Sequence, residues 1–181
     1  MAGSTRRESY NRKLAAEAAK SLARLGADVT HVELSDYPMP LFNQDLEAAE
    51  GLPPAATRLQ DLMVEQDGLL LACPEYNSSL TPLLKNTIDW VSRANGERRA
   101  LAAFQGKAAA LVSASSGALG GLRGLRHVRE ILGNIGVIVM PGQLALSRAD
   151  TAFDSQGVLE EDKRAALDNV TRPLVELLTR S

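Results

Sequence analysis

The sequence predicts an α/β fold, a doubly wound parallel sheet with helices on both faces, and three observations predict it. Short apolar runs at residues 67–73, 107–113 and 136–140, with an alternating run at 28–34, read as strands, and helical patterns fall between them. The strand at 67–73 stops at Pro74 and is followed by a loop and a helix start, the strand–loop–helix order of a parallel sheet. The chain of 181 residues, 45% hydrophobic and 23% charged, has the length of one domain with room for a substantial core.

Taken in order, Met1 and Ala2 lead at once into Gly3-Ser4-Thr5-Arg6-Arg7-Glu8-Ser9-Tyr10-Asn11, and then into a helix carrying Leu14, Ala15, Ala18, Leu22 and Leu25 on one face and ended by Gly26. On its residues alone the segment reads first as a flexible basic start before a helix. A second reading is an anion loop. The hydroxyls of Ser4, Thr5 and Ser9, the Asn11 amide and the free N–H groups of the helix start would converge on a phosphate, with Arg6 adding charge.

Residues 28–34 alternate apolar and polar side chains, as an edge strand does, and His31 falls on the polar face with no second His or Cys near it. It reads as a solvated residue. Residues 37–45 form a proline-broken loop continued by an acidic segment to Gly51, and exposed apolar side chains in it favour a subunit contact. Pro53-Pro54 then opens a helix through Leu59, Leu62, Met63 and Gln66.

The stretch from residue 67 to Trp90 organises the chain. Pro74 ends the strand, Glu75-Tyr76-Asn77-Ser78-Ser79 is a polar loop, and Thr81-Pro82 supplies a cap and a first helical residue. Such a loop lies at the carboxyl end of a strand, where open α/β sheets bind ligands, although by composition it is equally a plain connection. Cys73 reads as a small buried hydrophobe. Trp90 lies on a helix over 83–94, in the core or an interface rather than against a ligand, and the charged linker Asn95-Gly96-Glu97-Arg98-Arg99 follows.

After the strand at 107–113 comes a Ser/Gly-rich loop over 114–124 that matches neither a dinucleotide fingerprint nor a Walker motif. It would lie beside the Pro74 loop, with its N–H groups facing a polar edge. A helix bearing Leu125, Val128, Ile131, Leu132 and Ile135 leads to the last strand at 136–140, with 143–146 as an edge extension. A polar loop over 150–157 precedes a closing helix through Leu167, Val170, Leu174 and Leu177, where Pro173 should produce a kink.

Twenty basic against 22 acidic residues leave a net charge of -2, which points to neither nucleic acid nor an anionic membrane. No apolar run approaches the roughly 20 residues of a membrane span, and no export segment is seen. One cysteine and two histidines offer neither an internal disulfide nor a zinc site. The expected address is the cytoplasm.

Pro74-Glu75-Tyr76-Asn77-Ser78, followed by Leu83-Leu84-Lys85-Asn86 and Asp89-Trp90, resembles the signature of the NADPH-dependent FMN reductase family, which includes the flavodoxin-like quinone, chromate and azo-dye reductases. Gly3, Ser4, Arg6, Ser9 and Asn11 match that family's phosphate loop, G-S-x-R-x-x-S-x-N, position by position. The resemblance implies a flavodoxin-like sheet of order 2-1-3-4-5. It implies FMN as cofactor, its phosphate on Ser4, Thr5, Arg6, Ser9, Tyr10 and Asn11, and its ring between Pro74, Glu75, Tyr76 and Asn77 on one side and Ala114, Ser115 and Gly117 on the other. NADPH or NADH would be the hydride donor. Backbone N–H groups around residues 115–117 would face the reduced ring, and no catalytic side chain is assigned. Small-molecule electron acceptors (quinones, azo dyes, chromate, free flavin) and a homodimer or homotetramer are further implications, with residues 37–52 near the interface.

One departure stands out. The family has an apolar strand before that glycine, and here only Met1 and Ala2 precede it. The first strand is expected to be missing, with the true start upstream. Two other readings share the fold: a flavodoxin-type electron carrier, disfavoured by the near-neutral charge, and an N-terminally truncated non-catalytic form. A hydrolase lacks its Gly-x-Ser-x-Gly elbow, and His127 sits inside a helical pattern.

Overall fold

In the computed structural model, which describes residues 1–96 and 98–180, a parallel sheet is layered between helices. Its strands β1 (Gly68–Ala72), β4 (Ala108–Ala114) and β5 (Ile138–Leu146) lie in the order β1-β4-β5. β4 is central and buried along its whole length, which explains its uninterrupted apolar sequence. The predicted strand at 136–140 and its extension form one edge strand. Pro141 and Gly142 fall at a register shift between the pairs Ala109–Val139 and Leu111–Gln143, where an edge strand tolerates a missing N–H.

The described residues form six α-helices, α1 (Tyr10–Arg24), α2 (Gln44–Glu50), α3 (Pro54–Val64), α4 (Pro82–Val91), α5 (Leu122–Asn134) and α6 (Glu161–Leu178), of which all but α2 bury residues against the rest of the fold. α1 and α6 bury Leu14, Ala18, Leu22, Leu167, Val170 and Leu174 with the Ala108, Ala110 and Val112 side of β4. The opposite face joins Leu59, Met63, Leu84, Ile88, Leu125 and Leu132 to Leu111 and Ala109. The alternation of β4 therefore feeds two cores, as a doubly wound sheet requires. α6 runs through Pro173 as one helix. Glu97 of the predicted linker lies outside the described residues, and Asn95 and Arg98 exchange backbone hydrogen bonds across it.

Three expectations need correction. Residues 28–33 form no strand, and the chain closes into a 3-10 turn at Leu34–Asp36. A strand needs a neighbour, and the lane between this segment and β1 is nearly empty. Only residues 1–3 enter it: the Met1 amine donates to Leu70 O at 3.0 Å, Ala72 N–H to Met1 O at 3.0 Å, and Gly3 N–H to Ala72 O at 2.9 Å. No strand among the described residues precedes α1; Ala2 makes a single bridge to Ala72, and three strands of the order 2-1-3-4-5 are present. The acidic segment after Phe42 is helix α2 rather than loop, because Asn43 caps it, accepting from Asp45 and Leu46 N–H, and Asp45 and Glu47 favour its positive end. The Glu75 loop is a small hairpin, β2 (Glu75–Tyr76) with β3 (Ser79–Leu80), because Asn77 and Ser78 at φ +49° and +69° make the tight turn that strands prefer.

Candidate functional site

Three loops meet at the carboxyl ends of the strands: residues 4–9 before α1, the β2–β3 hairpin after β1, and residues 115–121 after β4. Between them lies a cleft of about 150 Å³ lined by Ser4, Arg6, Ser9, Tyr10, Asn11, Pro74, Glu75, Tyr76, Ala114, Ser115 and Ser116. Segments more than a hundred residues apart in sequence thus line one cleft. Of the predicted residues, Thr5, Asn77 and Gly117 stand outside this lining, and Ser116, expected only as one of the N–H groups around 115–117, is part of it.

The loop before α1 is held from below. Thr81 Oγ1 donates to Gly3 O at 2.8 Å while accepting from Leu84 N–H at 3.2 Å, so the cap of α4 also anchors the start of the loop. A Cβ on Gly3 would stand 3.0 Å from Leu84 Cβ and 3.2 Å from Pro74 Cδ, which is why glycine fits there. Ser9 caps α1 by accepting from Arg12 N–H at 3.4 Å, and Ser4 Oγ accepts from Arg6 N–H at 3.3 Å. Both serines are buried. The Asn11 amide spans to β4, its Nδ2 donating to Ala114 O at 2.8 Å and its Oδ1 accepting from Ala114 N–H at 3.0 Å, the double bond of a strand partner made by a side chain. Arg6 is exposed, with its guanidinium 6.0 Å from the Tyr10 ring, and Tyr10 stacks on Phe153 at 6.3 Å.

On the far side, Tyr76 stands at the rim, 55% exposed. Its neighbour Glu75 points the other way, as successive strand residues must. The Glu75 carboxylate accepts from Gly124 N–H at 2.9 Å and from Arg123 Nε and Nη2 at 3.0 and 2.7 Å. Burial opposes its charge, but the Gly124 N–H and the Arg123 guanidinium prevail and hold the carboxyl below the ordinary glutamate range. In the 115–121 loop, Ser115 N–H donates to Leu146 O at 3.0 Å and Gly117 N–H to Ser115 Oγ at 3.2 Å. The N–H groups expected around 115–117 therefore narrow to Ser116, whose N–H has no hydrogen-bond partner among the described residues. Gly120 presses on β5: at φ +60° its Cβ would lie 2.6 Å from the Ala145 backbone.

Other polar candidates fall elsewhere. Cys73 is fully buried beneath the cleft, and burial pushes its thiol up to about 12. His31 bonds to Glu33 at 3.1 Å on the surface, and among the described residues no group of His, Cys, Asp and Glu could hold a metal ion. Trp90 is fully buried away from the cleft, its Nε1 donating to Pro40 O at 2.8 Å and its ring meeting Phe42 edge-on. A larger cavity, about 590 Å³, lies between residues 28–32 and β1, walled by Ala15, Ala19 and Leu22 on one face and Leu62 and Met63 on the other. Its lining combines aliphatic side chains with backbone and polar groups such as Asp28, Glu65 and Asp67. No helix among the described residues is long and apolar enough to cross a membrane.

The NADPH-dependent FMN reductase family matches residues 1–151. The chain is 38% identical over 168 residues to an NAD(P)H-dependent FMN reductase of Pseudomonas aeruginosa, covering 92% of this chain and 86% of that protein. A quinone reductase of Pseudomonas putida is 38% identical over 166 residues, covering 91% of this chain and 85% of the relative. Among solved structures, the flavoenzyme NAD(P)H:(acceptor) oxidoreductase FerB of Paracoccus denitrificans superposes with a TM-score of 0.82 at 27% identity, over 99% of this chain and 95% of FerB. With two ordered motifs, a parallel sheet wound on both faces and these matches, the chain belongs to the NADPH-dependent FMN reductase family.

Proposed function

We propose that the chain is an FMN-dependent NAD(P)H oxidoreductase that passes a pair of electrons from NADPH or NADH to quinones or similar small acceptors, including free flavin, azo dyes and chromate. The observation that carries this reading is the meeting of three loops at one cleft, with the start of α1 on one wall and an unpartnered N–H, that of Ser116, on the other. A cleft of about 150 Å³ is below the usual 300–1,000 Å³ of a whole ligand site, and suits a phosphate with its attached chain while a ring lies over the rim. The donor set fits that group: two buried serines, a helix N-terminus and a free guanidinium.

In this reading Ser4, Thr5, Arg6, Ser9, Tyr10 and Asn11 hold the phosphate end. Pro74, Tyr76, Asn77 and the Glu75 backbone flank the ring opposite Ala114, Ser115 and Gly117, and the Ser116 N–H serves its electron-rich edge. Bound FMN supplies the redox chemistry, so the protein needs no acid or base of its own. Asn11 keeps the two walls at fixed spacing by bonding Ala114. Arg6 and the α1 dipole draw in the anionic phosphate.

The whole of residues 1–181 then serves as a single FMN-binding domain. A homodimer or homotetramer is supported by Leu41, 80% exposed within the 37–52 segment, and by the exposed Leu119 and Leu122. A cytoplasmic address suits a consumer of NAD(P)H. The near-neutral charge favours a reductase over a flavodoxin-type carrier.

The test is a visible spectrum after FMN addition and desalting, followed by anaerobic NADPH. Flavin is expected to be retained and to bleach, Arg6→Ala to weaken FMN affinity about tenfold, the effect of losing one charge-assisted contact, and Asn77→Ala to weaken it by disturbing the turn that holds Asn77 at φ +49°. A chain that retains no flavin, or unchanged affinity in both variants, would count against the assignment.

A further inference from the structure

α5 begins without a cap of its own. Its N-cap is Gly121, at φ +90°, which has no side chain to satisfy the first N–H groups. Glu75, from the hairpin 49 residues upstream, supplies that missing acceptor by bonding Gly124 N–H, and Arg123 closes over the same carboxylate. The Glu75 side chain is only 9% exposed. One turn further along α5, His127 Nδ1 and Ser79 Oγ share a hydrogen bond of 2.9 Å, so both strands of the hairpin are tied to one helix face. Gly124 permits the contact, since a Cβ there would stand 3.2 Å from Ser79 O and 3.4 Å from Glu75 Cβ.

These ties act on one end of a rigid lever. Glu75 and Tyr76 are adjacent in β2, so fixing one on α5 turns the other toward the cleft rim. The Asn77–Ser78 turn is held at positive φ in both residues, a conformation that surrounding contacts must maintain. Glu75 belongs to the motif because of what its neighbour does.

We propose that Glu75 is a positioning residue: as the remote cap of α5 it fixes the β2–β3 hairpin and thereby presents Tyr76 and the Pro74 backbone to the flavin ring. This rests on the FMN reading above. The phosphate end, built from α1 and β4, does not depend on it.

In flavin-free protein, Glu75→Gln is expected to speed hydrogen exchange in residues 74–81 about tenfold, since its amide N–H groups meet Arg123 where a carboxylate stood, with α1 and β4 unchanged. FMN affinity, read by fluorescence quenching, should fall about tenfold with Tm lowered by only a few degrees. Arg123→Gln, which keeps the bond to Gly124, should give both effects at about threefold, and decides the matter should Glu75→Gln not fold. Unchanged exchange in the hairpin overturns the proposal. So does faster exchange with unchanged FMN affinity, which would mark a merely structural tie. A wild-type protein that binds no FMN removes the flavin reading and this role with it, and the wild-type titration alone identifies that case.

Discussion

Cys73 sits one residue before the motif, yet it is chemically remote from the cleft. Burial disfavours its thiolate, and the nearby Met1 ammonium only partly offsets this, which leaves the thiol at about 12. At pH 8 roughly one thiol in ten thousand is ionised, and that one is enclosed. A disulfide reagent such as dithionitrobenzoate is therefore expected to label the native protein no faster than the chain unfolds, and rapidly in denaturant. Labelling within seconds in buffer would show that β1 opens at its end. The inert reading of Cys73 was legible from its place at the end of an apolar run. So were the positions of the two motifs, because Ser9 caps α1 and Pro74 ends β1, work that local sequence announces. What the sequence did not disclose is where Asn11 and Glu75 point. Their partners, Ala114 and Gly124, lie 103 and 49 residues away, and no local pattern announces either contact.

At the scale of elements, helices with caps and two-sided strands were readable, while pairing was not. Residues 28–33 carry a strand's alternation, but a strand is a property of two segments, and among the described residues none pairs with this one. α2 was hidden because a seven-residue helix with no buried residue has no apolar stripe to read; Asn43 was its only clear signal. The 115–121 loop shows the same limit. Its Gly120 and the Gly26 that follows α1 look interchangeable in sequence, yet Gly120 lies against backbone and Gly26 against nothing. Both have positive φ, so Gly120→Ala and Gly26→Ala share a conformational cost of about 1–2 kcal/mol. Gly120→Ala adds a 2.6 Å clash with Ala145, which β4 holds in place, and should cost about 2 kcal/mol more. In thermal melts that difference reads as a Tm lower by about 4–8 °C for Gly120→Ala than for Gly26→Ala. Equal melting temperatures would mean that the loop relaxes away from β5, and that the wall bearing Ser115 and Ser116 is softer than drawn.

For the molecule as a whole, the open question is the lane beside β1. Alternation along β1 sends Leu71 toward β4 and turns the backbone groups of Gly68, Leu70 and Ala72 into that lane, where residues 1–3 meet only its upper end. The Met1 amine stands where a peptide N–H would, and burial holds its pKa below the ordinary range, partly offset by Cys73 and Glu33. Since Ala2 bridges Ala72, a parallel strand in the same register would need three residues ahead of Met1 to reach Gly68. Helices wall both faces of the cavity, so those residues should be apolar on both sides, unlike an edge strand. Three valines placed before Met1 would bury side chains worth about 1.5–3 kcal/mol each against about 1–2 kcal/mol of backbone ordering per residue. The net gain of about 2–3 kcal/mol predicts a Tm higher by about 5–10 °C, with slowed amide exchange at Leu70 and across residues 29–32. A proline-containing extension of the same length, which cannot donate to the ladder, should leave both unchanged. If the two extensions melt alike, the lane is not a strand site and the segment at 28–33 is held by its own contacts. If they differ, the gap in the sheet limits stability, while the cleft, assembled from α1, β1 and β4 on the other side of it, keeps its geometry in either protein.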